Sequence, residues 1–167
     1  MPFEHIPQPE VIQLSETFRL KKYDGQYEKA VPGYEDPYVY QNSEGIFDDA
    51  KKPDADYVKG MFGWLDAHGE LYFIEALTDA GWIAVGDVTV KGENPPIAIW
   101  FPEYRGKGLG TRTMKAVIRR LKELGYEKIT GSTVYKWNDR SLKMHERLGF
   151  RIVSEDEEEY KLELDLK

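Results

Sequence analysis

Apolar residues first alternate with polar ones and later recur at helical spacing, and these changes of period divide the chain into elements. Ile12, Leu14, Phe18 and Leu20 stand out from polar neighbours and predict a first strand, roughly 11–22. The lead-in, residues 1–9, holds Pro2, Pro7 and Pro9 and reads as extended. From residue 54 the period becomes helical: Asp54-Ala55-Asp56 caps a segment carrying Val58, Met61, Phe62 and Leu65, which stops near His68-Gly69. Leu71–Leu77 and Trp82–Val90 read as strands joined by the turn Thr78-Asp79-Ala80-Gly81, and Lys91–Pro95 turns the chain onto a third run, 97–101. Leu109, Met114, Val117, Ile118, Leu121 and Leu124 mark a helix over 108–124 that ends at Gly125. Tyr126–Val134 follows as a strand, and a short helix runs from Asn138 or Asp139 to Leu148. Phe150–Ser154 and Glu159–Leu166 pair around an acidic tip at 155–159. With no internal repeat and no linker, the expectation is one α+β domain over 1–167, a mixed, mostly antiparallel sheet flanked by helices.

Residues 23–56 carry no clean period. Tyr23, Tyr27, Tyr34, Tyr38, Tyr40 and Phe47 alternate with Gly and Pro, and acids are dense from Glu35 to Asp56. One or two short helices in irregular loops are expected there. Elsewhere composition adds exclusions. The length of 167 residues, 41% hydrophobic and 32% charged, suits an ordinary globular chain with a real core. No apolar run approaches the ~18 residues needed to cross a bilayer. Met1-Pro2-Phe3-Glu4-His5 lacks the basic and apolar regions of a secretory signal, so the expected location is cytoplasmic. The absence of Cys excludes disulfides, thiolate metal sites and a Cys nucleophile together, and His5, His68 and His145 are too scattered to ligate a metal.

The stretch Arg105-Gly106-Lys107-Gly108-Leu109-Gly110 lies between the run 97–101 and the helix from 108. Alternate glycines let backbone approach a ligand closely, and the N–H groups of the helix's first turn favour an anion. Arg105, Lys107 and Arg112 add positive charge at the same place. A Walker A loop would end in Gly-Lys-Ser/Thr, and a dinucleotide fingerprint would need Gly at 111 or 113, where Thr111 and Thr113 stand. The loop instead resembles the acetyl-CoA loop of the GNAT superfamily of acyltransferases, Arg/Gln-x-x-Gly-x-Gly/Ala, with Arg105, Gly108 and Gly110 at the defining positions. The resemblance extends through Trp137-Asn138-Asp139-Arg140-Ser141 and Glu146-Arg147-Leu148-Gly149-Phe150, and so covers 97–150.

The resemblance implies acetyl-CoA as cosubstrate. It implies that backbone groups of Ala98, Ile99 and Trp100 pair with the pantetheine arm, those near Ile99 and Trp100 polarising the thioester carbonyl. Arg105, Gly106, Lys107, Gly108, Leu109, Gly110 and Thr111 would wrap the pyrophosphate, and Asn138 would contact the cofactor from the next helix. It further implies that 23–66 builds the acceptor site. Many members carry a Tyr as the thiolate's acid seven residues after the Asn; here that position is His145, with Tyr135 as the other candidate acid. Glu75 and Asp87, on strands beside 97–101, are the candidate bases. Residues 103–151 hold 13 Lys and Arg against 5 Asp and Glu, a net +8, and the other 10 basic and 25 acidic residues give −15. A basic half suits a polyanionic cofactor, while the acidic remainder disfavours nucleic acid and attracts a cationic amine. The expected activity is acetyl transfer from acetyl-CoA to a primary amine of a small molecule or a protein N-terminus, in a protein with no membrane partner whose exposed strand edges would allow a homodimer. The alternative is a sensor of the same fold that holds CoA without transfer.

Overall fold

The computed structural model describes residues 6–167, so the first five residues of the proline-rich lead-in lie outside the described residues. The expected first strand is a hairpin of two, β1 (Val11–Gln13) and β2 (Phe18–Lys22). Ser15 makes the turn, its hydroxyl accepting from the backbone N–H groups of Thr17 and Phe18, both at 3.2 Å. Ile12, Leu14, Phe18 and Leu20 all fall on even positions, so the alternation stays in phase across the turn and reads as one strand. After a 3₁₀ turn at Tyr27–Ala30 come α1 (Val31–Tyr34) and α2 (Pro37–Glu44). Asp36 caps α2 by accepting from Tyr38 N at 3.0 Å, with Pro37 in the first turn and Gly45 closing the helix at φ 66°. A 3₁₀ turn at Asp49–Lys51 precedes α3 (Ala55–His68), which Asp54 caps.

Strands β3 (Glu70–Thr78), β4 (Gly81–Val90) and β5 (Ile97–Ile99) continue the sheet, which runs β1 to β5 in sequence order, antiparallel throughout. The expected strand 97–101 is shorter because Pro102 opens a 3₁₀ turn, Pro102–Tyr104, before the glycine loop. Then follow α4 (Leu109–Glu123), β6 (Lys128–Tyr135), α5 (Asp139–Arg147), β7 (Arg151–Glu155) and β8 (Glu159–Asp165). The last three strands form a second sheet in the order β6-β8-β7. One parallel bridge, Glu93 to Thr130, ties the two sheets together. Around it Asn94 N donates to Thr130 O at 2.8 Å and Thr130 N to Gly92 O at 3.0 Å. Beyond this point β5 and β6 separate.

Each face of the first sheet carries a core. Tyr72, Ile74, Val85 and Val88 pack with Met114, Val117 and Leu121 of α4 on one face. On the other, Phe73 and Trp100 pack with Tyr34 of α1 and with Val58 and Phe62 of α3. Helix α4 is fixed by an ion pair inside the first core. The Arg120 guanidinium donates to both oxygens of Glu70, at 2.8 and 2.7 Å, and also to Pro7 O at 3.0 Å. The two side chains are 6% and 2% exposed. Losing one partner leaves the other as an unpaired buried charge. Arg120→Met is therefore expected to lower unfolding stability by ~3–5 kcal/mol in urea titration. The double change Arg120→Met with Glu70→Leu should recover most of that loss.

Candidate active site

A cavity of about 450 Å³ lies along the outer edge of β5. Its walls come from α2 (Tyr38, Asn42, Ser43), from β5 (Ile97 to Ile99), from the glycine loop, and from α5 with the residue before it (Asn138, Arg140, Ser141, Lys143, Met144, Arg147). In β5 the backbone alternates. Trp100 N donates to Val85 O at 2.9 Å and Thr89 N to Pro96 O at 3.1 Å, while Ala98 lies opposite Asp87. Those residues turn their polar backbone atoms toward β4, so Ile97 and Ile99 turn theirs toward the cavity. The N–H of Trp100 is thus committed to the sheet, and that of Ile99 is the donor facing the gap.

The glycine loop has two residues with left-handed backbone, Gly106 at φ 72° and Gly108 at φ 83°. A Cβ on Gly108 would meet no atom within 4 Å, so conformation, not crowding, calls for glycine there, and its open side is the cavity. Gly108 begins α4, and no side chain caps that helix. Its first N–H groups are left to a ligand, at the positive end of the helix dipole. Gly110 and Thr111 line the cavity, whereas Leu109 is buried in the core and Lys107 is exposed outside the lining.

Arg105 does not offer its charge to the cradle. Its Nε donates to Ile99 O at 3.0 Å and its Nη2 to Trp100 O at 2.6 Å, with Asp36 Oδ2 at 3.3 Å and the Tyr38 ring 4.0 Å beneath the guanidinium. It is a strut that ties loop, β5 and α2 into one body. The free cations come from α5: Arg140, Lys143 and Arg147 share one face and line the cavity, and none forms a salt bridge among the described residues. The Arg140 guanidinium lies 3.7 Å from where a Cβ on Gly106 would stand. Sequence reasoning missed these three, although basic residues at 140, 143 and 147 after Asn138 carry a helical period. Asn138 itself caps α5, accepting from Ser141 N at 3.2 Å, and faces the cavity.

The catalytic candidates scatter. His145 lies in the core, 5% exposed, with Nδ1 2.7 Å from Ser141 O and its ring edge-on to Phe150. Burial holds its pKa below the ordinary value, against the Ser141 carbonyl, and the ring does not face the cavity. Glu75 is held by Arg19 at 2.7 Å, and that guanidinium lies 4.2 Å over the Trp82 ring, so its charge is already answered. Asp87 is 1% exposed; Tyr34 Oη and Trp100 Nε1 both donate to its Oδ2, at 2.7 and 2.8 Å. Burial pushes its carboxyl up to about 6, with those two donors opposing. Tyr135 closes β6, its ring stacked 4.7 Å from Trp137.

Residues 34–150 match the acetyltransferase (GNAT) family. The chain belongs to that family. Among its relatives is a mycothiol acetyltransferase of Propionibacterium freudenreichii, 30% identical over 156 residues, covering 89% of this chain and 48% of that protein. A mycothiol acetyltransferase of Corynebacterium aurimucosum is 32% identical over 97 residues, covering 57% of this chain and 31% of that one. This GNAT chain spans less than half the length of the curated relatives it matches. Its fold is shared with a domain from Methanocaldococcus jannaschii, at TM-score 0.74 and 21% identity over 89% of this chain and 97% of that one. It is also shared with yncA of Salmonella typhimurium, a putative acetyltransferase solved with acetyl-CoA, at TM-score 0.67 and 15% identity over 91% and 95% of the two chains.

The strut carries a clear expectation. Arg105→Ala leaves two carbonyl oxygens without their charged donor and should lower stability by about 2–3 kcal/mol in urea titration. Arg105→Lys should restore only part, because a lysine lacks the fork that spans both carbonyls.

Proposed function

We propose that the protein transfers an acetyl group from acetyl-CoA to a primary amine, as an N-acetyltransferase. One observation carries the reading. An uncapped helix start behind left-handed glycines opens on the same cavity as a strand edge with free backbone groups and three unpaired cations. That set fits a ligand with an anionic end and an amide-bearing arm. The first-turn N–H groups of α4 with Arg140, Lys143 and Arg147 would hold its phosphates, and the free edge of Ile97 and Ile99 would pair with the arm. The Ile99 N–H would polarise the thioester carbonyl.

Tyr135, whose phenol stands against Gly45 at the end of α2, is the candidate acid for the departing thiolate, since His145 is turned into the core. Asp87 orders Tyr34 and Trp100 behind the cavity and acts by positioning. The acceptor side is the aromatic and acidic stretch 23–66, which favours a cationic amine, and the cysteine-free chain is read as cytoplasmic. An exposed edge at β7 is where a second copy would pair.

Acetyl-CoA turnover, followed as free thiol with a panel of amines, tests the reading. Thiol release with acetylated product supports it, and binding without turnover across the panel would make the chain a CoA sensor. In calorimetry, Gly108→Val is expected to weaken CoA at least about tenfold, because a β-branched residue resists positive φ. Arg140→Glu with Lys143→Glu should do the same, with the loss shrinking as salt rises. His145→Ala should melt earlier than the wild type with kcat nearly unchanged, whereas Tyr135→Phe should lower kcat by ~10²-fold or more at unchanged CoA affinity.

A further inference from the structure

Helix α5 carries its cations in a row along the cavity. Arg140, Lys143 and Arg147 all line it, and their spacing of three and then four residues puts them on one helix face. Two contacts fix where that row begins. The Arg140 guanidinium lies 3.7 Å from where a Cβ on Gly106 would stand, and the Met144 sulfur 3.2 Å from the corresponding point on Gly110. The first cation is therefore at the glycine loop, and Arg147 follows about 10 Å farther along the helix axis at the usual rise per residue.

Left to themselves these three side chains oppose one another. Arg140 with Lys143, and Lys143 with Arg147, are like-charge neighbours on one helix face. Arg140 also stands in the first turn of α5, where the helix dipole disfavours a cation. Among the described residues none of the three forms a salt bridge, and no Asp or Glu lines the cavity. With the start of α4, worth about half a charge, the walls present roughly 3.5 positive charges, leaving aside Arg105 because Asp36 answers it. A pyrophosphate diester brings one negative charge per phosphate, so it leaves part of the row unanswered.

We propose that Lys143 and Arg147 form a second anion subsite for the phosphomonoester on the donor's ribose, and that this subsite selects free acetyl-CoA over donors without that group. This rests on the acetyl-transfer reading above. Beyond its pyrophosphate, acetyl-CoA carries on the ribose 3′-oxygen a monoester phosphate of about −1.5 to −2 charge near neutrality. In the donor the pyrophosphate separates the arm from the nucleoside. With the arm on β5 and the pyrophosphate on the glycine loop and Arg140, the nucleoside is the part left for the rest of α5. Arg147 can bond two phosphate oxygens with its fork, and Lys143, one turn earlier, adds a point charge. The same thioester on 3′-dephospho-CoA, or on phosphopantetheine tethered to a carrier protein, keeps the arm but lacks the monoester and forfeits this subsite.

Calorimetry with CoA and 3′-dephospho-CoA tests the subsite on wild type, on the double change Lys143→Gln with Arg147→Gln, and on Arg140→Gln. All three side chains are exposed, so each variant should melt with the wild type. Wild type is expected to bind CoA about tenfold or more tighter than 3′-dephospho-CoA. In the double variant that preference should shrink to within about twofold, with the loss falling on CoA. Arg140→Gln should weaken both ligands and keep their ratio, because it acts at the pyrophosphate. Equal wild-type affinity for the two ligands would overturn the subsite, and so would a preference that survives the double change. A double variant that loses both ligands to the same degree would also overturn it, since that places Lys143 and Arg147 on the pyrophosphate. A wild type that binds neither ligand would overturn the acetyl-transfer reading itself, and the subsite with it.

Discussion

Strands β5 and β6 lie in different sheets that meet at a parallel bridge between Glu93, ahead of β5, and Thr130 of β6, and the functional half of the molecule depends on their parting. A sheet that closed here would pair the outward N–H and C=O groups of Ile97 and Ile99 with β6 and leave no cavity. Buried backbone groups without partners are costly, so an open edge persists only where something else satisfies it. Arg105 takes part of that load by capping Ile99 O and Trp100 O, and the remaining edge is left to a ligand. The strut thereby fixes how much of the strand is free, and it holds the glycine loop at the mouth of the gap.

Charge is sorted across the same gap. The free cations stand on α5 beside the uncapped start of α4, and Asp87, a buried carboxylate with no cation, stands on β4. A ligand that is anionic at one end fits this gradient with that end toward α5. The uneven charge of the sequence, basic in 103–151 and acidic elsewhere, is the projection of that arrangement onto the chain.

Much of this was legible in the sequence, and the pattern of success is physical. Helices α3, α4 and α5 were readable because each carries one apolar face with a cap or glycine stop, all within a few residues. The hairpin β1–β2 was not, because its turn preserves the even-position phase of the apolar residues. The loop's glycines were legible as backbone chemistry, but the direction of the Arg105 side chain was not, since its partners include Asp36, 69 residues away. Asp87 was visible as an acid beside the strand; that Tyr34 and Trp100 hold it could not be read, because 53 residues separate it from the first of them. Residues 23–56 gave least, since helices of four and eight residues held by aromatic contacts have too few turns to show a period.

Gly33 has a consequence for how such a protein can change. Its backbone rests directly on the Trp100 indole, where a Cβ would come within 2.4 Å of Cγ. Trp100 and Tyr34, the residue next to Gly33, donate to the same oxygen of Asp87. Even a methyl group at 33 would act as a wedge, lifting α1 and pulling the two donors apart. Helices α1 and α2 and the edge strand β5 therefore move together about this contact. Evolution can rewrite the side chains of 34–47, provided the pivot beneath them stays bare.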